Sequence, residues 1–137
     1  MRLQKVGTGI LFVASFLWLC QGVRHIVRER GLSEVCNAEG AFSLPLSTGI
    51  FFLFALLFLG YFLLQWWRAD SLQVEEWLWL LLFSAGLSNV MERLLFGCVA
   101  DYIVLGSFPA FNVADIGLTL GALGLLYEHL RPKHIKK

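Results

Sequence analysis

The stretch GAFSLPLSTGIFFLFALLFLGYFLLQWW, from Gly40 to Trp67, contains no charged residue. A helix needs about 20 apolar residues to cross the roughly 30 Å hydrocarbon core of a bilayer, so this stretch is long enough to span a membrane. A second charge-free run extends from Val6 to Val23. The whole chain is 58% hydrophobic and 15% charged, a composition that excludes an ordinary soluble domain. These features predict an integral membrane protein.

Two further spans are predicted toward the C-terminus. The segment Trp77–Met91 is free of charge and reaches spanning length if its helix continues toward Gly97. The segment Val113–Leu130 is apolar except for Asp115 near one end and Glu128 near the other, as in a helix whose charges lie at the two interfaces. We therefore expect an all-α membrane protein, a single domain over residues 1–137, with a small extracytoplasmic β-type segment. The predicted spans are at about 6–27, 47–67, 76–97 and 113–131.

The distribution of basic residues predicts the orientation of the chain. Basic residues are enriched on the cytoplasmic side of membrane proteins. With an even number of spans, both termini and the link between the second and third spans share one side, which carries more basic residues than the other. We therefore expect both termini to be cytoplasmic. The basic residues of the cytoplasmic side would be Arg2, Lys5, Arg68, Arg131, Lys133, Lys136 and Lys137, and those of the outer side Arg24, Arg28, Arg30 and Arg93.

The two outer linkers contain short segments that favour extended structure. CNAEGAFSLP, Cys36–Pro45, has several turn-type residues, and we expect a small strand or hairpin at the interface. CVADYIVLGSFPAF, Cys98–Phe111, has a β-prone run followed by a turn. Cys36 and Cys98 would both lie near the outer side and could pair, but free apolar cysteines are the default expectation. The cysteine spacing does not match a zinc site.

Polar side chains gather at the predicted outer ends of the third and fourth helices. Asn89 and Arg93 are four residues apart and share one helix face. Asn112 and Asp115 lie at the start of the fourth helix, and Asp101 lies in the preceding linker. Because polar groups in or against a membrane are costly unless they are paired, this convergence predicts a functional site. The residues that can join it from other segments are Gln21, Arg24 and Asn37.

The two aspartates of this group, Asp101 and Asp115, could hydrolyse a peptide bond without a metal ion. When two carboxylates share a site, the pKa of one rises, so that one stays protonated while the other draws a proton from water. The pair then titrates as a unit. A position at a helix N-terminus favours Asp115 as the ionised partner. Each residue also has a plainer interpretation, in which Asn112 or Asp115 caps the helix and Asp101 is a solvated loop acid.

Several motifs carry a resemblance to a known family. FNVAD, Phe111–Asp115, resembles the motif FNxAD, and CVADYI, Cys98–Ile103, resembles VVDFI. GLSNVMER, Gly86–Arg93, resembles GNxxDR, and CNAEGAFS, Cys36–Ser43, resembles NxGxAFS. These are motifs of the lipoprotein signal peptidases (signal peptidase II), membrane aspartic peptidases of four helices. The resemblance implies that Asp101 and Asp115 are catalytic. The residues that it implies as supports of the dyad or the substrate are Asn37, Phe42, Asn89, Arg93, Asn112, Gln21 and Arg24.

The chain also departs from the family's pattern, as a divergent member would. CQGVR, Cys20–Arg24, stands where the family has DQxxK, so that Gln21 matches, Arg24 keeps the charge and Cys20 replaces the acid. Glu92 stands for the aspartate of GNxxDR. These changes leave the expected dyad intact and alter the residues around it.

What the resemblance implies is removal of signal peptides from diacylglyceryl-modified prolipoproteins at the outer face of the bacterial cytoplasmic (inner) membrane. The expected partners are that substrate and membrane lipids. We expect a monomer that uses no cofactor or metal and binds no nucleic acid. Two alternatives stay open. One is a relative that binds lipopeptides or scaffolds partners without cleavage, suggested by Cys20 and Glu92. The other is a small ion-coupled carrier that uses the intramembrane acids.

Overall fold

The computed structural model describes residues 2–38, 48–69 and 73–131. This part of the chain forms the four predicted helices, each long and apolar enough to cross a membrane. Two short strands pair beside them. The predicted fold class, four transmembrane helices with a small β segment, is confirmed. In chain order the elements are α1 (Arg2–Glu29), β1 (Val35–Asn37), α2 (Thr48–Arg68), α3 (Val74–Phe96), β2 (Val99–Asp101) and α4 (Val113–Leu130).

Helix α3 is the central helix and packs against each of the other three. Its contact with α4 is close because the facing residues are small: Ala85 of α3 is fully buried, and Gly117 and Gly121 of α4 are buried. A Cβ atom added to Gly117 would lie 3.1 Å from the Cβ of Ala85, and one added to Gly121 would lie 2.7 Å from Leu82 Cγ. Small residues at such positions let two membrane helices approach until their backbones nearly touch.

A partly buried lysine joins three helices at the end of the bundle where the chain begins. Lys5 Nζ donates hydrogen bonds to the backbone oxygens of Trp66, at 2.8 Å, and Ala69, at 2.6 Å. Its ammonium group also lies 3.7 Å from the carboxylate of Glu76 on α3. A charge next to lipid is costly unless it is satisfied. Lys5 is therefore held where the last turn of α2 meets the first turn of α3.

The two strands cover the opposite end of the bundle. Strand β1 pairs antiparallel with β2, in a register that sets Val35 against Asp101 and Cys36 against Ala100. Cys36 and Cys98 form a disulfide bond, with their Cα atoms 5.5 Å apart. The expectation of free cysteines was wrong for this pair, because strand pairing brings the two residues together. Cys20 is free and buried.

After β2 the chain makes a hairpin-like excursion before α4 begins. Ile103 and Phe111 form an antiparallel bridge, and Phe108 N–H donates to Leu105 O at the turn between them. Gly106, in this turn, has a φ of 57°, a conformation that glycine adopts without strain. The excursion returns the chain to the level of β2. Asp101 at the end of the strand and Asn112 at the start of α4 are thereby brought side by side.

Candidate active site

Helix α4 begins with a capping box made by Asn112 and Asp115. Asn112 Oδ1 accepts a hydrogen bond of 3.0 Å from the backbone N–H of Asp115, and Asp115 Oδ2 accepts one of 3.2 Å from the backbone N–H of Asn112. Reciprocal bonds of this kind fix the first turn of a helix. They also place the Asp115 carboxylate at the N-terminal end of α4. The capping interpretation of these residues therefore holds, and it accounts for only one of the two carboxylate oxygens.

The other carboxylate oxygen of Asp115 faces helix α3. Asn89 Nδ2 donates a hydrogen bond of 2.9 Å to Asp115 Oδ1. Asn89 Oδ1 in turn accepts a hydrogen bond of 3.3 Å from Asn112 Nδ2. The three side chains thus form a closed set across the α3–α4 contact. Capping of α4 does not by itself require the hydrogen bonds of Asn89.

Asp101 lies at the end of β2, is only 4% exposed, and has an amide donor on each of its carboxylate oxygens. Asn112 Nδ2 donates to Oδ1 at 2.8 Å, and Asn37 Nδ2, from β1, donates to Oδ2 at 3.0 Å. Asn112 therefore donates to both acids, through its side chain to Asp101 and through its backbone to Asp115. The two aspartates and the three asparagines singled out in the sequence are brought together in one cluster.

The pKa of the Asp101 carboxyl is raised above its ordinary value, chiefly because burial disfavours the charged form. The hydrogen bonds from Asn37 and Asn112 act in the opposite direction, since they stabilise the anion. The charge of Asp115 raises the pKa and that of Arg93 lowers it, and both effects are smaller than burial. Asp101 therefore keeps its proton to a higher pH than a solvated aspartate does.

Arg93 lies on α3 next to this cluster. Its Nη1 donates to the backbone oxygen of Asn89 at 3.4 Å, and its guanidinium lies over the ring of Phe51 on α2, 4.7 Å from the ring centre. A cation over an aromatic face is stabilised by the ring's quadrupole. Arg93 thus supplies a positive charge near two acids from within a partly apolar setting.

Tyr102 belongs to the same region and was not singled out in the sequence. Its phenol oxygen accepts a hydrogen bond of 3.3 Å from the backbone N–H of Val113, the first residue of α4. Burial raises the pKa of this phenol, so that it stays neutral. The sequence feature that could have pointed to Tyr102 is its position directly after Asp101. The hydrogen bond joins that position to the start of α4.

Gln21 and Arg24 of α1, predicted to support the dyad or the substrate, lie beside Glu92 of α3. Gln21 Nε2 donates to Glu92 Oε1 at 3.2 Å, and Arg24 Nε lies 3.7 Å from Glu92 Oε2. Cys20, one position before Gln21, packs among buried apolar residues that include Ala114. Phe42, predicted from the outer-loop motif, lies outside the described residues. Glu92 thus links α1 to the region of the site, and the sequence motif did not assign it this contact.

Within the residues that the structure describes, no group of three or more His, Cys, Asp or Glu side chains could hold a metal ion. The cluster instead consists of two carboxylates, their amide donors and a nearby guanidinium. Such a set can share and transfer protons between a water molecule and a bound carbonyl group.

Comparison with known proteins gives the family of this chain. A family model described as signal peptidase (SPase) II matches residues 11–131. A lipoprotein signal peptidase of Thermodesulfovibrio yellowstonii is 30% identical over 117 residues, which are 80% of this chain and 77% of that protein. Another, from Syntrophomonas wolfei, is 34% identical over 96 residues, which are 69% of this chain and 64% of that protein.

Two solved structures share the fold. Both are described as bacterial membrane enzymes determined by the in meso method. One has a TM-score of 0.81 and 24% sequence identity, with 96% of this chain and 93% of that chain covered. The other has a TM-score of 0.79 and 22% identity, with 93% and 95% covered. The helices, the strand pair and the family model therefore agree, and this chain belongs to the signal peptidase II family.

Proposed function

We propose that this protein is an aspartic endopeptidase that removes signal peptides from diacylglyceryl-modified prolipoproteins, with Asp101 and Asp115 as its catalytic dyad. The observation that carries the proposal is the position of Asn112, which donates a hydrogen bond to each carboxylate. A residue that serves only to cap α4 has no need to reach Asp101 as well. Family membership supports the substrate class, since the named relatives are lipoprotein signal peptidases.

The two acids have different environments, and these suggest different roles. Asp115, at the helix N-terminus with hydrogen bonds from Asn89 and Asn112, is suited to be the anion that takes a proton from the attacking water. Asp101, with its raised pKa, is suited to donate a proton to the scissile carbonyl oxygen. The resulting tetrahedral intermediate collapses when Asp115 passes its proton to the leaving nitrogen and Asp101 regains a proton from the intermediate's hydroxyl. Both acids then hold their starting protonation states.

The site also suits a substrate that is anchored in lipid. It lies where α3 ends at Phe96 and α4 begins at Val113, which is the boundary of the membrane-spanning segments. A lipid-modified chain presents its scissile bond at this level. We place this boundary on the outer side of the bacterial cytoplasmic membrane, with both termini inside. The charge distribution supports this orientation, and so does the Cys36–Cys98 disulfide, since disulfides persist in oxidising compartments.

The decisive experiment measures cleavage of a diacylglyceryl-modified prolipoprotein by the purified protein in detergent or proteoliposomes. Replacement of Asp101 or Asp115 by Asn should lower kcat by about 10²–10⁴-fold, the range expected when a proton-transfer group is lost. Glu128→Gln is the matched control, because Glu128 lies at the far end of α4 and pairs with Arg131 at 3.7 Å. Unchanged cleavage in either Asn variant contradicts the proposed dyad. Wild-type protein that binds the precursor without cleaving it supports the non-catalytic alternative instead.

A further inference from the structure

Glu92 lies near the end of α3, is 5% exposed, and contacts two other segments of the chain. Its Oε1 accepts a hydrogen bond from Gln21 on α1, at 3.2 Å. Its Oε2 lies 3.7 Å from Arg24 Nε, also on α1, and accepts a hydrogen bond of 3.1 Å from the backbone N–H of Ala100 on β2. One carboxylate therefore touches both the first helix and the strand that carries Asp101.

The charge of Glu92 is balanced inside the protein. Arg24 is 3% exposed, and its guanidinium lies over the ring of Phe96, 3.8 Å from the ring centre. A buried carboxylate is tolerated only when it is paired and hydrogen-bonded. Here the guanidinium supplies the opposite charge, while Gln21 and Ala100 supply N–H donors. Removal of either charge alone leaves the other buried and uncompensated.

The hydrogen bond of the Ala100 backbone N–H is accepted by Glu92 and not by strand β1. In an antiparallel pair, residues opposite each other alternate between those that exchange backbone hydrogen bonds and those that do not. Ala100 lies opposite Cys36. The backbone N–H of Ala100 donates to Glu92. The Ala100–Cys36 pair is therefore one that does not exchange backbone hydrogen bonds, and this N–H points away from β1, toward α3. Strand β2 is therefore held on one edge by β1 and on the other by Glu92.

Ala100 directly precedes Asp101, so a shift of its backbone moves the Asp101 carboxylate. The bonds from Asn37 and Asn112 hold that carboxylate only if the strand is in place. From this arrangement we propose that Glu92 is a positioning residue for Asp101, acting through the Ala100 N–H, and that it couples α1 to the site. This inference rests on the proposed function and adds a residue that does not touch the dyad.

The test distinguishes the role of Glu92 as a hydrogen-bond acceptor for Ala100 from the role of its negative charge. In an Arg24→Met background, Glu92→Gln keeps an oxygen that can accept from Ala100, whereas Glu92→Met has similar volume and no such oxygen. Both double variants lack the ion pair, and replacing a buried pair by uncharged groups is often close to neutral in stability. We expect kcat for prolipoprotein cleavage to be about 10–100-fold lower in the Met variant than in the Gln variant, because small misplacements of a catalytic group are costly. KM should differ by less than about twofold. Equal kcat values at equal Tm overturn the inference.

A second readout does not depend on catalysis. Amide hydrogen exchange at Ala100 should be slow in the wild type and in the Gln variant and at least about tenfold faster in the Met variant. Wild-type protein that cleaves no precursor counts against the proposed function, whereas exchange at Ala100 that is equal in the two double variants counts against the role of Glu92.

If the double variants fail to fold, Glu92→Asp provides the test. It keeps the charge opposite Arg24 but shortens the reach, and exchange at Ala100 should again accelerate. Unaltered exchange and kcat in that variant overturn the inference.

Discussion

The side-chain amide of Asn112 donates a hydrogen bond of 2.8 Å to Asp101, across the gap between β2 and the first turn of α4. The same side chain accepts from the backbone of Asp115 and so caps the helix. These two tasks can be separated by substitution. Asn112→Ser keeps a good helix cap but is too short to reach Asp101, whereas Asn112→Ala loses both functions.

We expect Asn112→Ser to lower kcat by about 10–100-fold. The bond from Asn112 becomes one to a charged group when Asp101 gives up its proton, and such a bond contributes about 1.5–3 kcal/mol. Its Tm should stay close to that of the wild type. Asn112→Ala should lose about as much activity and, in addition, about 1 kcal/mol of stability from the missing cap. Steady-state cleavage and thermal unfolding in the same detergent check both. A Ser variant with wild-type kcat would show that the bond to Asp101 has no catalytic effect.

The pH dependence of cleavage should report on Asp101. Asn37 stabilises the Asp101 anion and so lowers its pKa, against the larger effect of burial that raises it. Without that hydrogen bond the pKa rises further. If Asp101 acts as the protonated acid, the alkaline limb of kcat/KM in Asn37→Ala moves to higher pH. The charged groups that act on Asp101, Asp115 of α4 and Arg93 of α3, are unchanged in this variant.

Glu34→Gln is the control for this pH profile. Glu34 lies just before β1 and pairs with Arg28 at 2.9 Å. The charges that act on Asp101 are those of Asp115 and Arg93. The profile of Glu34→Gln should coincide with that of the wild type. An alkaline limb that stays fixed or moves to lower pH in Asn37→Ala contradicts the assignment of Asp101 as the acid.

The disulfide should stabilise the end of the molecule that carries β1 and β2. Cys36 and Cys98 are separated by 62 positions in the chain, and removal of a native disulfide typically costs about 2–5 kcal/mol. The double variant Cys36→Ser/Cys98→Ser should therefore have a lower Tm, and its kcat should fall because β1 carries Asn37. Cys20→Ser, which removes the free thiol, is the comparison. Equal Tm values for the disulfide variant and the wild type would contradict this prediction.

The orientation can be tested with cysteines in two exposed positions. Ser107 lies in the turn before α4, and Gln73 directly precedes α3 at the other end of the bundle. In a Cys20→Ser background, we expect a membrane-impermeant maleimide to label Ser107→Cys in intact spheroplasts and Gln73→Cys only after permeabilisation. The reverse pattern would place the site on the cytoplasmic side.

The helices were predictable from sequence because long apolar runs and the lipid environment leave few alternatives. The association of Asp101, Asp115 and Asn112 was predictable because two adjacent spans force their connecting ends together. The Cys36–Cys98 bond was not, since it depends on the register of two three-residue strands, which is a tertiary property. The partners of Glu92 were missed for a similar reason. They depend on which face of α1 meets α3, and the weakly polar pattern of α1 does not determine that face.

The close contact of α3 with α4 also determines how a substrate can reach the dyad. Gly117 lies two positions after Asp115, and a single added methyl group there would lie 3.1 Å from the Cβ of Ala85 on α3 and 2.8 Å from Phe16 Cζ on α1. One turn further along, Gly121 is equally crowded by Leu82. A seam with no space for one methyl group admits neither an acyl chain nor a peptide helix. Direct passage from the bilayer to Asp115 is therefore blocked along the α3–α4 contact. If the protein acts on a lipid-anchored precursor as proposed, that precursor must enter from another side of the bundle.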